Sequence, residues 1–326
     1  MINGRRNAGP AGLRLSRDFA RATLPAVTVS ARARRPVLLI VGCGDIGLRV
    51  ARAIGPGWRV LGLTSTPARA PELRAAGVLP IFGDLDRPPT LARLAGLADA
   101  VLHLAPPPSE GRHDARTAAL LHALARRNSV RRLVYVSTSG VYGDCGGARI
   151  DETRALAPAT PRARRRVDAE ARLRAYGRAM GVRVTLLRVP GIYASDRTGG
   201  HPAERLARGT PVLAREDDVY TNHIHADDLA RACIAALHRG PSPRAIHVSD
   251  DTELRMGDYF DLAADRCGLP RPPRITREQA ATRMSALQLS FMSESRRLDN
   301  RRLKTELRLA LRYPSVAEGL GAGPGA

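Results

Sequence analysis

This sequence predicts an α/β fold built on a doubly wound parallel sheet, and three observations predict it. Val37–Val41 is a continuous apolar, β-branched-rich run, the pattern of a strand buried on both faces. Gly42, Gly44 and Gly47 follow it at once, and a helical pattern with Leu48 and Ala51 follows the glycines. From there to Val189, strand-like and helix-like stretches alternate, which implies right-handed βαβ units.

The glycine stretch has a physical logic. The first glycine permits a tight turn, and the second lets backbone approach a pyrophosphate. The third allows close packing of helix on strand, with the helix N-terminus aimed at the phosphates. Gly42, Gly44 and Gly47, with Asp45 and Ile46 between them, are therefore expected to cradle a dinucleotide. Residues 58–63 read as the second strand, 68–76 as a short helix and 78–82 as the third strand. A helix at 91–97 and a fourth strand at 100–104 come next, then a helix at 115–127 with Leu120, Leu121 and Leu124 on one side. A fifth strand at 132–137, a helix at 167–180 and a sixth strand at 182–189 complete the series. In such sheets ligands bind at the carboxyl ends of the strands.

Composition bounds the rest. The chain has 326 residues, 44% hydrophobic and 25% charged, and no apolar run approaches the ~20 residues that span a bilayer. Cys43, Cys145, Cys233 and Cys267 lack metal-ligand spacing and fit a reducing, cytoplasmic setting; no metal site is expected. The formal charge is +21, yet Lys304 is the only lysine, and the arginines spread from Arg5 to Arg312. That is a compositional bias, with no nucleic-acid-binding module to exploit it. Residues 1–36 form an Arg-rich extension, open to reading as a targeting segment, a disordered tail or an early start.

Segments at the strand ends are candidates for the site. Thr64, Ser65 and Arg69 end the second strand with no acid before Glu72, which favours the 2′-phosphate of NADP over the bare ribose of NAD. Asp84, followed by Leu85, is placed to accept from an adenine amino group, and backbone from His103 to Ala105 would border the nucleotide.

The order of these segments resembles the short-chain dehydrogenase/reductase superfamily, in its extended branch of nucleotide-sugar epimerases and dehydratases. The matching stretches are Gly42 to Gly47, Gly83 to Asp86, Ser137 to Gly143, Asp151-Glu152, Arg188 to Tyr193 and Ile224 to Ala230. The resemblance implies a Rossmann-type domain at 37–189 with 223–248 returning to it. A smaller substrate-binding domain would take 190–222 and 249–315, and 316–326 would be a flexible tail. The helix from Ala226 would be capped by Asp227 or Asp228.

The resemblance also exposes a departure. The family's Tyr-x-x-x-Lys dyad falls at Arg162 and Arg166, where no side chain supplies a titrating hydroxyl. A relocated acid/base is then expected among Thr138, Ser139 and Tyr142, with His225 and Tyr193 ranked behind them. Arg166 and Pro190 are assigned to the cofactor, and Arg188, Tyr193 and His225 to the substrate. The expected function is an NAD(P)-dependent oxidoreductase or nucleotide-sugar epimerase/dehydratase-like enzyme of atypical type, acting on a small molecule and open to homodimer formation. The alternative is a non-catalytic dinucleotide-binding regulator or subunit. Arg162 to Arg166 also fits a plain solvated face, and Arg188 a strand-end ion pair.

Overall fold

A computed structural model of the protein describes residues 34–321. All but the last three residues of the Arg-rich extension, and 322–326, lie outside them.

β1 (Val37–Val41) is buried at every position, and period-2 alternation sends its side chains into two apolar layers. Leu38 and Ile40 share one with Ile46, Leu48 and Val50 of α1 (Asp45–Ala53). Val37, Leu39 and Val41 share the other with Leu120, Leu121 and Leu124. The chain continues through β2 (Arg59–Thr64), α2 (Ala70–Ala75), β3 (Leu79–Phe82), β4 (Ala100–His103) and α3 (Ala115–Ala125). β5 (Arg132–Thr138), β6 (Arg149–Ile150), α4 (Pro161–Met180) and β7 (Arg183–Val189) follow. Next come β8 (Gly191–Tyr193), α5 (Pro202–Ala207), β9 (Val212–Leu213), β10 (Tyr220–Thr221), β11 (His223–His225), α6 (Ala226–Arg239) and β12 (Arg244–His247). The last elements are β13 (Leu254–Arg255), α7 (Met256–Cys267), β14 (Arg274–Ile275), α8 (Arg277–Arg283), α9 (Ala286–Met292), β15 (Arg297–Leu298), α10 (Arg301–Thr305) and α11 (Val316–Gly321).

Seven strands form one parallel sheet in the order β12-β7-β5-β4-β1-β2-β3. The Rossmann-type doubly wound sheet expected from the sequence is thus the fold observed. The strand order reverses between β1 and β4, so a crevice opens at their carboxyl ends. A third apolar cluster gathers Tyr193, Leu206, Val212, Tyr259, Phe260 and Val316 apart from the sheet.

Four expectations change. The helix expected at 167–180 begins at Pro161, because Thr160 accepts a hydrogen bond from the Ala163 amide and proline suits the first turn. The helix expected at 91–97 is a 3-10 stretch, Pro88–Leu94, whose Leu91 and Leu94 lie three apart on one buried edge. The tail expected from 316 begins instead with α11, and Val316 is fully buried. Leu303, Leu307 and Leu309, assigned by sequence to the smaller domain, pack into the core of the sheet.

Among the described residues, no helix is long and apolar enough to cross a membrane, and no group of three or more His, Cys, Asp or Glu is placed to hold a metal ion.

Candidate active site

A cleft of about 640 Å³ lies at the carboxyl ends of β1, β2, β4, β5 and β7. Its floor is the glycine turn, where the three glycines differ in what surrounds them. Gly42 has φ +84°, and a Cβ there would stand 2.5 Å from the Ala105 amide nitrogen, so turn and close backbone approach both demand glycine. A Cβ on Gly47 would press on Ile40, Cys43 and Leu104 side chains at 3.1–3.4 Å, the contact of helix on strand. A Cβ on Gly44 would meet no protein atom within 4 Å, and Gly44 has φ −88°. The open space above Gly44 belongs to the cleft, at the N-terminus of α1. This cradle fits a dinucleotide pyrophosphate: backbone, space and helix dipole coincide there.

Asp45 brings a carboxylate to this position, and its charge is met from two sides. Arg49 lies 2.9 Å and Arg197 2.7 Å from its oxygens. Arg49 also reaches Asp196 and Asp227, which together hold its pKa above the ordinary arginine value despite burial.

The nucleotide end of the cleft is lined by Thr64, Ser65, Thr66, Arg69, Asp84, Leu85 and Ala105. The Thr64 hydroxyl is engaged locally, accepting from the Thr66 amide at 3.2 Å. Arg69 is tied to Glu72 at 3.0 Å. Arg116 grips Asp86 through two nitrogens at 2.8 and 2.6 Å, which lowers the pKa of Asp86. His103 does not line the cleft. Its ring is buried against Thr117 at 2.9 Å, and burial, with Arg166 nearby, pushes its pKa down to about 3.

At the reacting end, Ser137, Thr138, Arg162, Arg166 and Pro190 line the cleft. Thr138 accepts from the Gly140 amide at 3.2 Å, so its own O–H is free to donate into the cleft. Ser137 instead donates to Glu170 at 2.7 Å. The arginine run divides: Arg162 and Arg164 are exposed, whereas Arg165 is buried and donates to the Gly111 and Ser109 carbonyls, clamping the loop after β4. Arg166 is 6% exposed and donates Nη1 to the Tyr135 hydroxyl and the Val136 carbonyl, both at 2.9 Å.

Several sequence-selected residues lie behind the cleft wall. Tyr142 is 1% exposed; its hydroxyl receives Arg188 Nη1 at 2.6 Å and meets His247 Nε2 at 2.6 Å. His247 Nδ1 faces the Asp299 carbonyl at 2.9 Å, which makes Nδ1 the donor and Nε2 the acceptor of the tyrosine proton. Burial drives the Tyr142 pKa up to about 12 and that of His247 down to about 4. The Tyr142 hydroxyl thus keeps its proton and directs it to His247 within the wall. Arg188 pairs with buried Glu170 at 2.8 Å, an interior ion pair directly behind the cleft wall, where Glu170 also accepts from the lining residue Ser137. Ser139 and Tyr193 are buried too. His225 supplies the cap of α6, its Nδ1 accepting from the Asp227 amide at 3.2 Å. Neither Asp227 nor Asp228 caps that helix; Asp227 pairs with Arg49, and Asp228 accepts the Arg312 and Tyr313 amides.

Sequence reasoning missed Arg116 and Arg197 in the cleft and Glu170 and His247 beneath it. Glu170 had a local signal, standing four residues after Arg166 on the same helical face. The other three had none.

Comparisons with known proteins agree with this geometry. A family model described as "NAD dependent epimerase/dehydratase family" matches residues 38–249. A trifunctional UDP-glucose 4,6-dehydratase/UDP-4-keto-6-deoxy-D-glucose 3,5-epimerase/UDP-4-keto-L-rhamnose-reductase of Arabidopsis thaliana is 27% identical over 165 residues, 47% of this chain and 24% of that protein. The chain thus spans about a quarter of the length of that relative. A functionally unknown conserved protein from Silicibacter pomeroyi DSS has a similar structure, with TM-score 0.74 and 31% identity over 87% of this chain and 96% of that one. The UDP-glucose 4-epimerase of Thermotoga maritima, solved with UDP-glucose, shares the fold at TM-score 0.72 and 20% identity, over 87% and 96% of the two chains. The UDP-glucuronic acid 4-epimerase of Bacillus cereus, solved with NAD, does so at 0.69 and 18%, over 88% and 96%. Sheet order, glycine turn and family match lead to one assignment: this chain belongs to the NAD dependent epimerase/dehydratase family.

Proposed function

We propose that this protein is an NAD(P)-dependent oxidoreductase or nucleotide-sugar epimerase/dehydratase-like enzyme of the extended type that works without a Tyr-x-x-x-Lys dyad. The observation that carries the reading is the open space above Gly44, in a cleft that also receives the free hydroxyl of Thr138. When bound, the nicotinamide accepts or supplies a hydride. Gly44, Asp45, Ile46 and the start of α1 hold the phosphates, Asp84 and Leu85 border the adenine, and Arg166 and Pro190 flank the nicotinamide end. Thr138 donates a hydrogen bond to the substrate oxygen whose bond order changes, and solvent supplies or takes its proton.

Arg162 and Arg166 stand at the dyad positions in this reading. Among the described residues no tyrosine, lysine or histidine lines the cleft, so the family's usual proton transfer has no counterpart among those lining side chains. NADP is the preferred cofactor, with Ser65, Thr66 and Arg69 on its 2′-phosphate. The region around the third apolar cluster receives the substrate, a small molecule with a carbonyl or hydroxyl group. Two copies pair through α3 and α4, whose outward faces expose Ala115, Ala125, Ala171 and Ala175; sedimentation of the purified protein tests this.

The missing proton donor favours a second reading, a dinucleotide-binding regulator or subunit without turnover. Titrating the protein with NADPH and NADH, then following reduced-cofactor absorbance across a carbonyl and nucleotide-sugar panel, separates the two. Binding with turnover supports the enzyme, binding without turnover the regulator, and no binding removes both.

A further inference from the structure

Arg162 and Arg166 bring two positive charges to the reacting end of the cleft, and no acid among the described residues pairs with them. Among the described residues Arg162 has no ion pair or hydrogen bond, although it lines the cleft. Arg166, one turn further along the same face of α4, keeps Nε without a hydrogen-bond partner while nine-tenths buried. Arg162 is exposed at the cleft, and partial desolvation, followed by the neighbouring Arg166 and Arg165, pulls its pKa below the ordinary arginine value. The acids that do line the cleft are Asp45, Asp84 and Asp86. They stand at the glycine turn and after β3, and Asp45 and Asp86 are already held by Arg197 and Arg116.

A cofactor cannot supply the missing anion. Its pyrophosphate belongs above Gly44 at the end of β1, whereas Arg166 is anchored to Val136 in β5, two strands across the sheet. At ~4.8 Å per strand that is about 10 Å. A nucleotide sugar carries its phosphates several bonds away from the ring carbons that react, so it leaves this pair equally unanswered.

Granting the cofactor reading above, we infer that the substrate carries a carboxylate directly on the carbon that reacts, as in a 2-oxo or 2-hydroxy acid. The Arg162 guanidinium receives the carboxylate as a two-pronged fork, and Thr138 donates to the neighbouring oxygen. In the reducing direction a hydride forms the new C–H bond at the carbonyl carbon. The C=O π pair moves to oxygen, and water supplies the proton that makes the alcohol. The reduced cofactor is the reductant, and it leaves oxidised. Arg162 stabilises the carboxylate and the developing oxyanion without transferring a proton.

The experiment uses the full chain loaded with NADPH, titrated with a series of 2-oxo acids of increasing chain length, each beside its uncharged methyl ester, and with UDP-glucose. Acids are expected to bind ~10- to 100-fold more tightly than their esters, the range of one charge-assisted contact. In Arg162→Gln that gap closes, in Arg162→Lys it partly returns, and NADPH affinity stays as in the parent for both. Acids and esters binding alike to the NADPH-loaded parent would overturn the inference alone. So would UDP-glucose binding more tightly than any acid and equally to the parent and Arg162→Gln. Failure to bind NADPH at all would instead remove the cofactor reading, and the inference with it.

Discussion

The two ends of the cleft treat arginine in opposite ways. At the nucleotide end Arg69 meets Glu72 at 3.0 Å, Arg116 meets Asp86 at 2.6 Å, and Arg197 meets Asp45 at 2.7 Å. At the reacting end Arg162 and Arg166 meet no carboxylate among the described residues. In a chain so rich in arginine, the presence of a guanidinium says little; its partner says what it does. A paired arginine organises the fold around it, and an unpaired one in a cleft is available to a ligand.

The interior repeats the contrast with acids. Glu170 is buried and fully answered, by Arg188 through two nitrogens and by Ser137. Asp250 is equally buried, but its Oδ2 has no hydrogen-bond partner among the described residues. Burial pushes the Asp250 pKa up to about 8, so the folded protein keeps this carboxyl protonated at neutral pH.

Breaking the answered interior pair is expected to have the largest effect. Glu170→Ala leaves the Arg188 guanidinium buried without its carboxylate, which costs about 3–5 kcal/mol. Urea denaturation measures it; a loss below about 1 kcal/mol would mean that water reaches Arg188 and that the pair is not the anchor of this end.

Gly44→Val comes next and isolates the cleft from the fold. The new side chain meets no protein atom close to Cβ and needs no unusual φ, so the melting temperature should hold. Dinucleotide affinity should fall on the order of 100-fold or more, about 2.7 kcal/mol, because the branched side chain fills the pyrophosphate position. Undiminished binding in a folded variant would show that the ligand lies elsewhere.

The unanswered acid offers a pH test. Unfolded Asp250 releases its proton near ~3.9, while the folded group holds it until about 8. The folded state therefore binds the extra proton between those values, and this group's contribution to stability declines as pH rises through the window. Asp250→Asn removes that slope: the variant should match the parent near pH 4 and exceed it in melting temperature at pH 8. Parallel curves for the two proteins would show that Asp250 ionises normally in the fold.

The smallest expected effect sharpens the comparison at the nucleotide end. Arg69 is shared with Glu72, so its contribution to NADPH over NADH should be several-fold rather than the full ~10- to 100-fold of a free charge-assisted contact. Arg69→Ala should shrink the preference and Glu72→Gln should widen it, both read by cofactor titration. Equal affinity for NADPH and NADH in the parent would refute the preference itself.

The sequence by itself determined the sheet and the glycine turn. The apolar run at β1, the spacing of Gly42, Gly44 and Gly47, and the leucines of α3 are encoded within a few residues by period and steric demand. The family resemblance pointed at Thr138, which the structure places as the last residue of β5. Sequence reading failed at Tyr142, four residues further on. The 3-10 turn Ser139–Tyr142 carries that side chain inward, where Arg188 and His247, 46 and 105 residues away in sequence, take its hydroxyl. It failed again at the arginine run, where Arg164 stays in solvent while Arg165 and Arg166 find the Gly111 carbonyl and the Tyr135 hydroxyl, 54 and 31 residues distant. Only tertiary structure decides such cases, because a polar side chain is buried or exposed according to partners that no local pattern announces.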